Sequence, residues 1–161
     1  MPAPTGHFSS DYHPSLYRLK IEMIPERSHY KNVRTSIPRS EWTRLSDTVA
    51  EASGGRCEIC GATPSKGLEC HEKWRYEEST RRQILTGLQA LCKDCHLVKH
   101  LGVSYRLGMM DRSIAHMAAV NGISAKESRW YAERAFKRAA ELDRFRWTVD
   151  LAWLDKGNDE G

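Results

Sequence analysis

The 161-residue chain is predicted to adopt an α+β fold around a metal-binding centre, and three features lead to this prediction. Two Cys-x-x-Cys pairs, Cys57–Cys60 and Cys92–Cys95, have identical spacing and supply four thiol ligands. Segments in which apolar residues alternate predict short strands, and segments with a period near 3.6 predict helices. With 40% hydrophobic and 29% charged residues, the composition is typical of a globular protein.

The length is that of one domain. We expect a single domain at 16–156 with a cysteine-containing core at about 56–102, flanks at 16–55 and 103–156, and short tails at 1–15 and 157–161. The first tail is rich in Pro, Ser and Gly, which predicts disorder.

Composition also bears on location and partners. No apolar run approaches the ~18 residues of a membrane span, and the start does not have the basic and apolar regions of a secretory signal. We therefore expect a cytoplasmic protein. The formal net charge of +4 permits binding to nucleic acid without requiring it.

The elements of the N-terminal flank follow from periodicity. The segment LYRLKIEMI (residues 16–24) alternates and predicts a half-buried strand that ends at Pro25. A loop should then run to Pro38, and a helix capped by Ser40 should end at Gly54–Gly55. Its apolar stripe is Trp42, Leu45 and Val49.

The central segment is predicted to contain two strands and a helix. Leu68 to Trp74 should form the first strand, and Tyr76 to Thr86 a charged connection. GLQAL (87–91) should form the second strand and lead into a helix that starts in CKDCHLVKH (92–100) and ends at Gly102.

Two helices and a strand are predicted in the C-terminal flank. The first helix, roughly 109–120, stops at Asn121–Gly122, and Ser124 with Glu127 forms a capping box for the second. RWTVDLAWL (146–154) alternates again, and we expect it to pair with the N-terminal strand. The inward-facing residues are predicted to be Met110, Ile114 and Met117 in the first helix and Tyr131, Ala135, Phe136, Ala139 and Leu142 in the second.

The four paired cysteines predict a structural zinc site. Zinc prefers four soft ligands in a tetrahedron, and each Cys-x-x-Cys turn presents two sulfurs to one ion. Four free buried cysteines would not explain two identical spacings. A site closed by four cysteines has no open coordination position, so this zinc should stabilise the fold and take no part in catalysis.

Three histidines lie close to these pairs. His71 is between them, His96 follows Cys95, and His100 is four residues further, on the same helical face. Together they suit a second divalent ion, for which Mg2+, Mn2+, Ni2+ and Zn2+ all remain open. The fifth cysteine, Cys70, adjoins His71; a redox role for it would lack a resolving cysteine once the other four bind zinc.

The pattern CEIC…LECHEKW…GLQALCKDCHLVKH resembles the HNH endonuclease family of the zinc-knuckle type, which has a ββα-metal fold. The flanking sequences YKNVR and AHMAAVNG also resemble an uncharacterised bacterial and phage branch of HNH-like proteins. The resemblance implies hydrolysis of DNA phosphodiester bonds, with His71 as general base and His96 as ligand of a catalytic metal. It places Cys70 at the position of a further metal ligand, so that Cys70, His96 and His100 would surround the second metal.

Two positions depart from the family pattern. The family asparagine is replaced by Gly87, although Gln89 offers an amide nearby, and Cys70 replaces an aspartate or histidine. A thiolate favours zinc over Mg2+. A non-catalytic zinc module that binds nucleic acid or a protein partner is therefore the alternative to a nuclease.

Overall fold

The computed structural model describes residues 16–28 and 31–158, and the predicted tail at 1–15 and residues 159–161 lie outside this part. The described part contains six α-helices and one three-stranded sheet, which confirms the α+β class. The helices are α1 (Val33–Ser36), α2 (Arg39–Ala52), α3 (Lys93–Lys99), α4 (Leu101–Arg106), α5 (Met110–Asn121) and α6 (Ala125–Leu142). The strands are β1 (Glu69–Glu77), β2 (Arg82–Leu91) and β3 (Thr148–Asp150), in the order β1-β2-β3.

Strands β1 and β2 form an antiparallel hairpin that is longer than predicted. The predicted charged connection from Tyr76 to Thr86 is wrong, because β1 continues to Glu77 and β2 begins at Arg82. Only residues 78–81 make the turn, and Arg81 adopts a positive φ of 55° there. Strands of an antiparallel hairpin that face solvent on one side alternate apolar and polar residues. Their charged outward side chains make such strands resemble a loop in the sequence.

The N-terminal segment does not join the sheet. The amide of Asn121 accepts from the Leu19 N–H at 2.8 Å and donates to the Leu19 carbonyl at 2.9 Å. The Ile21 N–H donates to the Tyr131 hydroxyl at 3.1 Å. Side chains of α5 and α6 thus satisfy backbone groups that a strand ladder would otherwise satisfy. The predicted strand is wrong, although its alternation correctly predicts that Leu19 is buried (0% exposed).

The C-terminal strand pairs with a different partner from the predicted one. Strand β3 lies parallel to the start of β2, with Arg82 opposite Thr148 and Ile84 opposite Asp150. The prediction that it pairs with the N-terminal segment is therefore wrong, because α5 and α6 already occupy the hydrogen-bonding groups of that segment.

The helices follow their local signals more closely. Gly122 ends α5 in the left-handed conformation (φ 64°), and the Ser124 hydroxyl accepts from the Glu127 N–H at the start of α6. Helix α2 begins after Pro38, with no side-chain cap. The predicted end of the cysteine-containing helix at Gly102 is wrong, because the break lies at His100 and Gly102 is within α4.

The main core lies between β2, α3 and α5 and positions the sites described below. Its fully buried side chains include Leu19, Leu91, Val98, Leu101, Ile114 and Met117, and the cysteines are part of the same cluster. Among the described residues, none of the helices combines the length and apolar character needed to cross a lipid bilayer.

Candidate functional site

The four paired cysteines converge on one point at the start of α3. Cys57 and Cys60 lie in the loop before β1, Cys92 caps α3, and Cys95 lies in its first turn. All four sulfurs are within 4.8 Å of one another, and the sulfurs of Cys60 and Cys92 are 3.6 Å apart. The group can therefore hold a metal ion such as zinc, as the spacing predicts.

The electrostatics of this group favour a bound cation. Burial and the charges of the neighbouring cysteines raise the pKa of Cys95. Burial also raises the pKa of Cys92, to about 11. For Cys57, burial is outweighed by backbone N–H groups that hydrogen-bond to its thiolate, and the pKa falls to about 7. Thiolates this close repel one another unless a divalent ion offsets their charge, and zinc prefers such ligands.

His116 on α5 contacts the cysteine group, and the sequence did not predict this. Its Nε2 lies 3.1 Å from the Cys95 sulfur. An imidazole N–H that donates to a ligating thiolate orients the ligand and reduces its charge. His116 is outside both Cys-x-x-Cys pairs, and only the packing of α5 on α3 brings it there.

The three predicted histidines form a second group. His71 comes from β1, His96 from α3, and His100 from the break after α3. One nitrogen of each lies within 4.8 Å of those of the other two. The centroids of the rings are 5.0 to 5.3 Å apart. The structure thus brings together two histidines one helical turn apart and a third from the facing strand.

Cys70 lies outside this histidine group. Successive side chains of a strand point to opposite faces, so Cys70 and His71 cannot both face α3. The thiol instead lies near Ser46 of α2, and burial raises its pKa. The sequence placed Cys70 with His96 and His100, whereas in the structure His71 completes the group. Cys70 does border the same cleft as His96 and His100.

Glu22 connects His71 to Lys99 beneath the histidine group. Its Oε2 is 2.7 Å from His71 Nε2 and its Oε1 is 3.1 Å from Lys99 Nζ. Burial alone would raise the pKa of Glu22, but the His71 hydrogen bond and the Lys99 charge lower it to about 2. The carboxylate is therefore ionised and accepts from both groups. Sequence reasoning missed this contact, because Glu22 was assigned to the polar face of a strand.

Burial holds two of the imidazoles, His71 and His100, in the neutral form. Burial lowers the pKa of His71, although Glu22 opposes this, and burial with the neighbouring imidazoles lowers the pKa of His100 to about 3. His71 Nδ1 is buried and has no hydrogen-bond partner among the described residues. His96 Nδ1 is 3.1 Å from Glu69 Oε1, which leaves its Nε2 for a ligand. Neutral imidazoles of this kind bind metal or accept a proton.

Gly87, which replaces the asparagine of the family pattern, offers no side chain to the site. Gly87 pairs with Lys73 across the hairpin, and a Cβ built there would meet only Lys73 Cδ within 4 Å. Gln89 pairs directly with His71. The side chains of such a cross-strand pair lie on one face, so Gln89 is on the histidine side of the hairpin.

Comparisons of the chain with known protein families, with curated proteins and with solved structures found no match.

Proposed function

We propose that the chain is a metal-dependent HNH-type endonuclease that hydrolyses DNA phosphodiester bonds. The observation that carries the proposal is the convergence of His71 on the hairpin with His96 and His100 on the following helix. The order β1, β2, α3, with a cysteine group at the start of α3, is the order that a ββα-metal core requires. This proposal takes the sequence resemblance as its starting point and the site geometry as its support.

His71 is the proposed general base. The ionised Glu22 accepts a hydrogen bond from the Nε2–H of His71, and this fixes the tautomer whose Nδ1 carries a lone pair. That nitrogen is buried and has no hydrogen-bond partner in the described part of the chain. A base of this kind takes the proton from the water that attacks phosphorus. Glu22 is therefore the group that orients the proposed base.

His96 and His100 are the proposed ligands of a second divalent ion. Glu69 orients His96 through Nδ1 and leaves Nε2 for the metal, which is the usual arrangement of a ligating histidine. Two imidazole ligands suit Mn2+, Ni2+ or Zn2+ better than Mg2+. A divalent ion bound there would offset the charge that develops on the phosphate and the leaving oxygen.

A plasmid-nicking assay tests the proposal. Zinc-loaded protein with added Mn2+ or Mg2+ should convert supercoiled plasmid to nicked circles, and His71→Ala should abolish this. Cys70→Ser is the matched control, because Cys70 adjoins His71 on β1 but lies outside the histidine group. Cys70 borders the cleft, but serine nearly preserves its size, so this variant should cleave as wild type does. Equal cleavage by wild type and His71→Ala would assign the activity to another group or to a contaminant.

The alternative function is a non-catalytic zinc module that binds nucleic acid or a protein partner. Gly87 favours it, because no side chain stands at the position of the family asparagine. Binding to DNA without cleavage of any substrate, under every metal condition, would support the alternative over the nuclease.

A further inference from the structure

A cleft of about 710 Å3 opens directly beside His96 and His100. Its walls come from α2, α4, α6 and the N-terminal segment, and its lining is largely apolar. The apolar part includes Met23, Trp42, Val103 and Phe136. Tyr105 stands at the cleft and is 70% exposed. The cleft with its aromatic side chains is therefore continuous with the histidine group.

Gly102 keeps part of this cleft open. It lies in α4, two residues after His100, and borders the cleft. A Cβ built there would meet Met23 Cε at 3.7 Å and Arg106 Nη1 at 3.8 Å, which are ordinary contacts. A methyl group is thus accommodated, whereas a larger side chain would extend into the cleft.

The cleft carries charges of both signs, with two guanidinium groups and three carboxylates along its lining. Arg34 and Arg106 are the two guanidinium groups that border it. The charge of Arg34 acts on Glu72 and opposes the burial that raises the pKa of that carboxyl, whereas Arg106 forms no ion pair with a carboxylate of the described residues. Two of the carboxylates there are already engaged: Glu72 accepts from the Val33 N–H and Asp143 from the Arg27 N–H. Glu26 is the remaining carboxylate and is exposed.

We propose that this cleft receives an unpaired nucleobase of the substrate, so that the preferred substrate is single-stranded or locally unpaired DNA. The inference rests on the proposed function, because it takes the histidine group as the place of the scissile phosphate. The base stacks on Trp42 within the apolar walls, and the flanking phosphates contact Arg34 and Arg106. Aromatic side chains beside basic groups are how proteins hold unpaired strands.

A paired duplex does not fit this surface well. Proteins bind duplex DNA mainly through many basic contacts to its phosphates. The cleft offers only two guanidinium groups, three carboxylates and a mainly apolar lining. The charged outer surface of a duplex does not cover such a lining. An extruded or single-stranded base presents its apolar faces to such walls.

Fluorescence anisotropy with labelled DNA tests the inference without requiring cleavage. The probes are an oligonucleotide of about 20 nucleotides, its perfect duplex, and the same duplex with an unpaired bulge. Zinc-loaded protein without added Mn2+ or Mg2+ should bind the single strand and the bulged duplex at least about tenfold more tightly than the perfect duplex. Trp42→Ala should weaken binding of the unpaired probes by about 5- to 150-fold, which is the range for loss of one stacked base. Trp42→Phe should restore most of it.

Gly102→Leu gives an independent test, with Gly102→Ala as its matched control. The leucine should obstruct the cleft and weaken binding of the unpaired probes, while the alanine should not. Equal affinity for the duplex and the single strand, or no binding of any probe, would overturn the inference. So would a folded Trp42→Ala with unchanged affinity for the single strand. Plasmid nicking without a preference for unpaired DNA would leave the nuclease proposal standing alone, whereas cleft-dependent binding without cleavage would support the inference and contradict the nuclease.

Discussion

Replacing Glu22 by glutamine should destabilise the protein through Lys99 and His71. The carboxylate accepts from both side chains, at 3.1 Å and 2.7 Å, and their side chains are only 5% and 1% exposed. Glutamine keeps the size of the side chain but removes its charge. The Lys99 ammonium would then remain buried without an anionic partner.

The expected loss follows from the burial of these groups. Removing one partner of a buried ion pair costs about 3–5 kcal/mol. The Glu22 side chain is itself 33% exposed, so water and the new amide offset part of this loss. We therefore expect the free energy of unfolding to fall by about 2–3 kcal/mol.

Urea denaturation of zinc-loaded protein measures this change, and a double-variant cycle isolates the pair. Lys99→Met removes the buried charge, so the Glu22→Gln, Lys99→Met double variant should lose less stability than the sum of the two single variants. Glu26→Gln is the control and should change stability by no more than about 0.5 kcal/mol, since Glu26 is exposed. A loss below about 1 kcal/mol for Glu22→Gln, or strict additivity in the cycle, would refute the account of Glu22.

Three further predictions concern the metal groups and the core. Protein purified without added metal should contain one zinc per chain by elemental analysis. Cys92→Ser should lose the zinc and unfold the segment around α3, because the free energy of metal binding there is part of the folding free energy. Folded protein without zinc would contradict this. By calorimetry in zinc-loaded protein, His96→Ala should abolish binding of added Ni2+ while His71→Ala should retain it, and equal loss in both would make His71 a ligand rather than the base. Met117→Ala should lower the free energy of unfolding by about 2–5 kcal/mol, because Met117 is 0% exposed. A loss below about 1 kcal/mol would contradict this and show that the core closes around the smaller side chain.

Local signals in the sequence were sufficient for part of the fold. The cysteine spacing, the i, i+4 histidines and the caps at Gly122 and Ser124 each depend on residues a few positions apart, and the structure contains the features they predict. Short-range geometry decides such features, so periodicity and capping rules are adequate for them.

Pairing between distant segments could not be predicted in the same way. Alternation in LYRLKIEMI predicts one buried face, but it does not say whether the backbone pairs with a strand or with side chains such as Asn121 and Tyr131. The contact between Glu22 and His71, 49 residues apart, depends on where that segment packs. Strand register decides whether His71 or Cys70 faces α3, because a shift of one residue turns every side chain of β1 to the other face. The sequence leaves this choice open, since both residues can bind metal.

The dependence of DNA cleavage on metal concentration tests the central claim most directly. If the histidine group both binds the metal and cleaves DNA, the Mn2+ concentration that gives half-maximal cleavage should equal the dissociation constant measured by calorimetry. Glu69→Gln weakens the orientation of His96, and both quantities should rise together by about tenfold with the maximal rate nearly unchanged. Cleavage that needs no added metal, or a half-maximal concentration that Glu69→Gln leaves unchanged while the dissociation constant rises, would contradict the account.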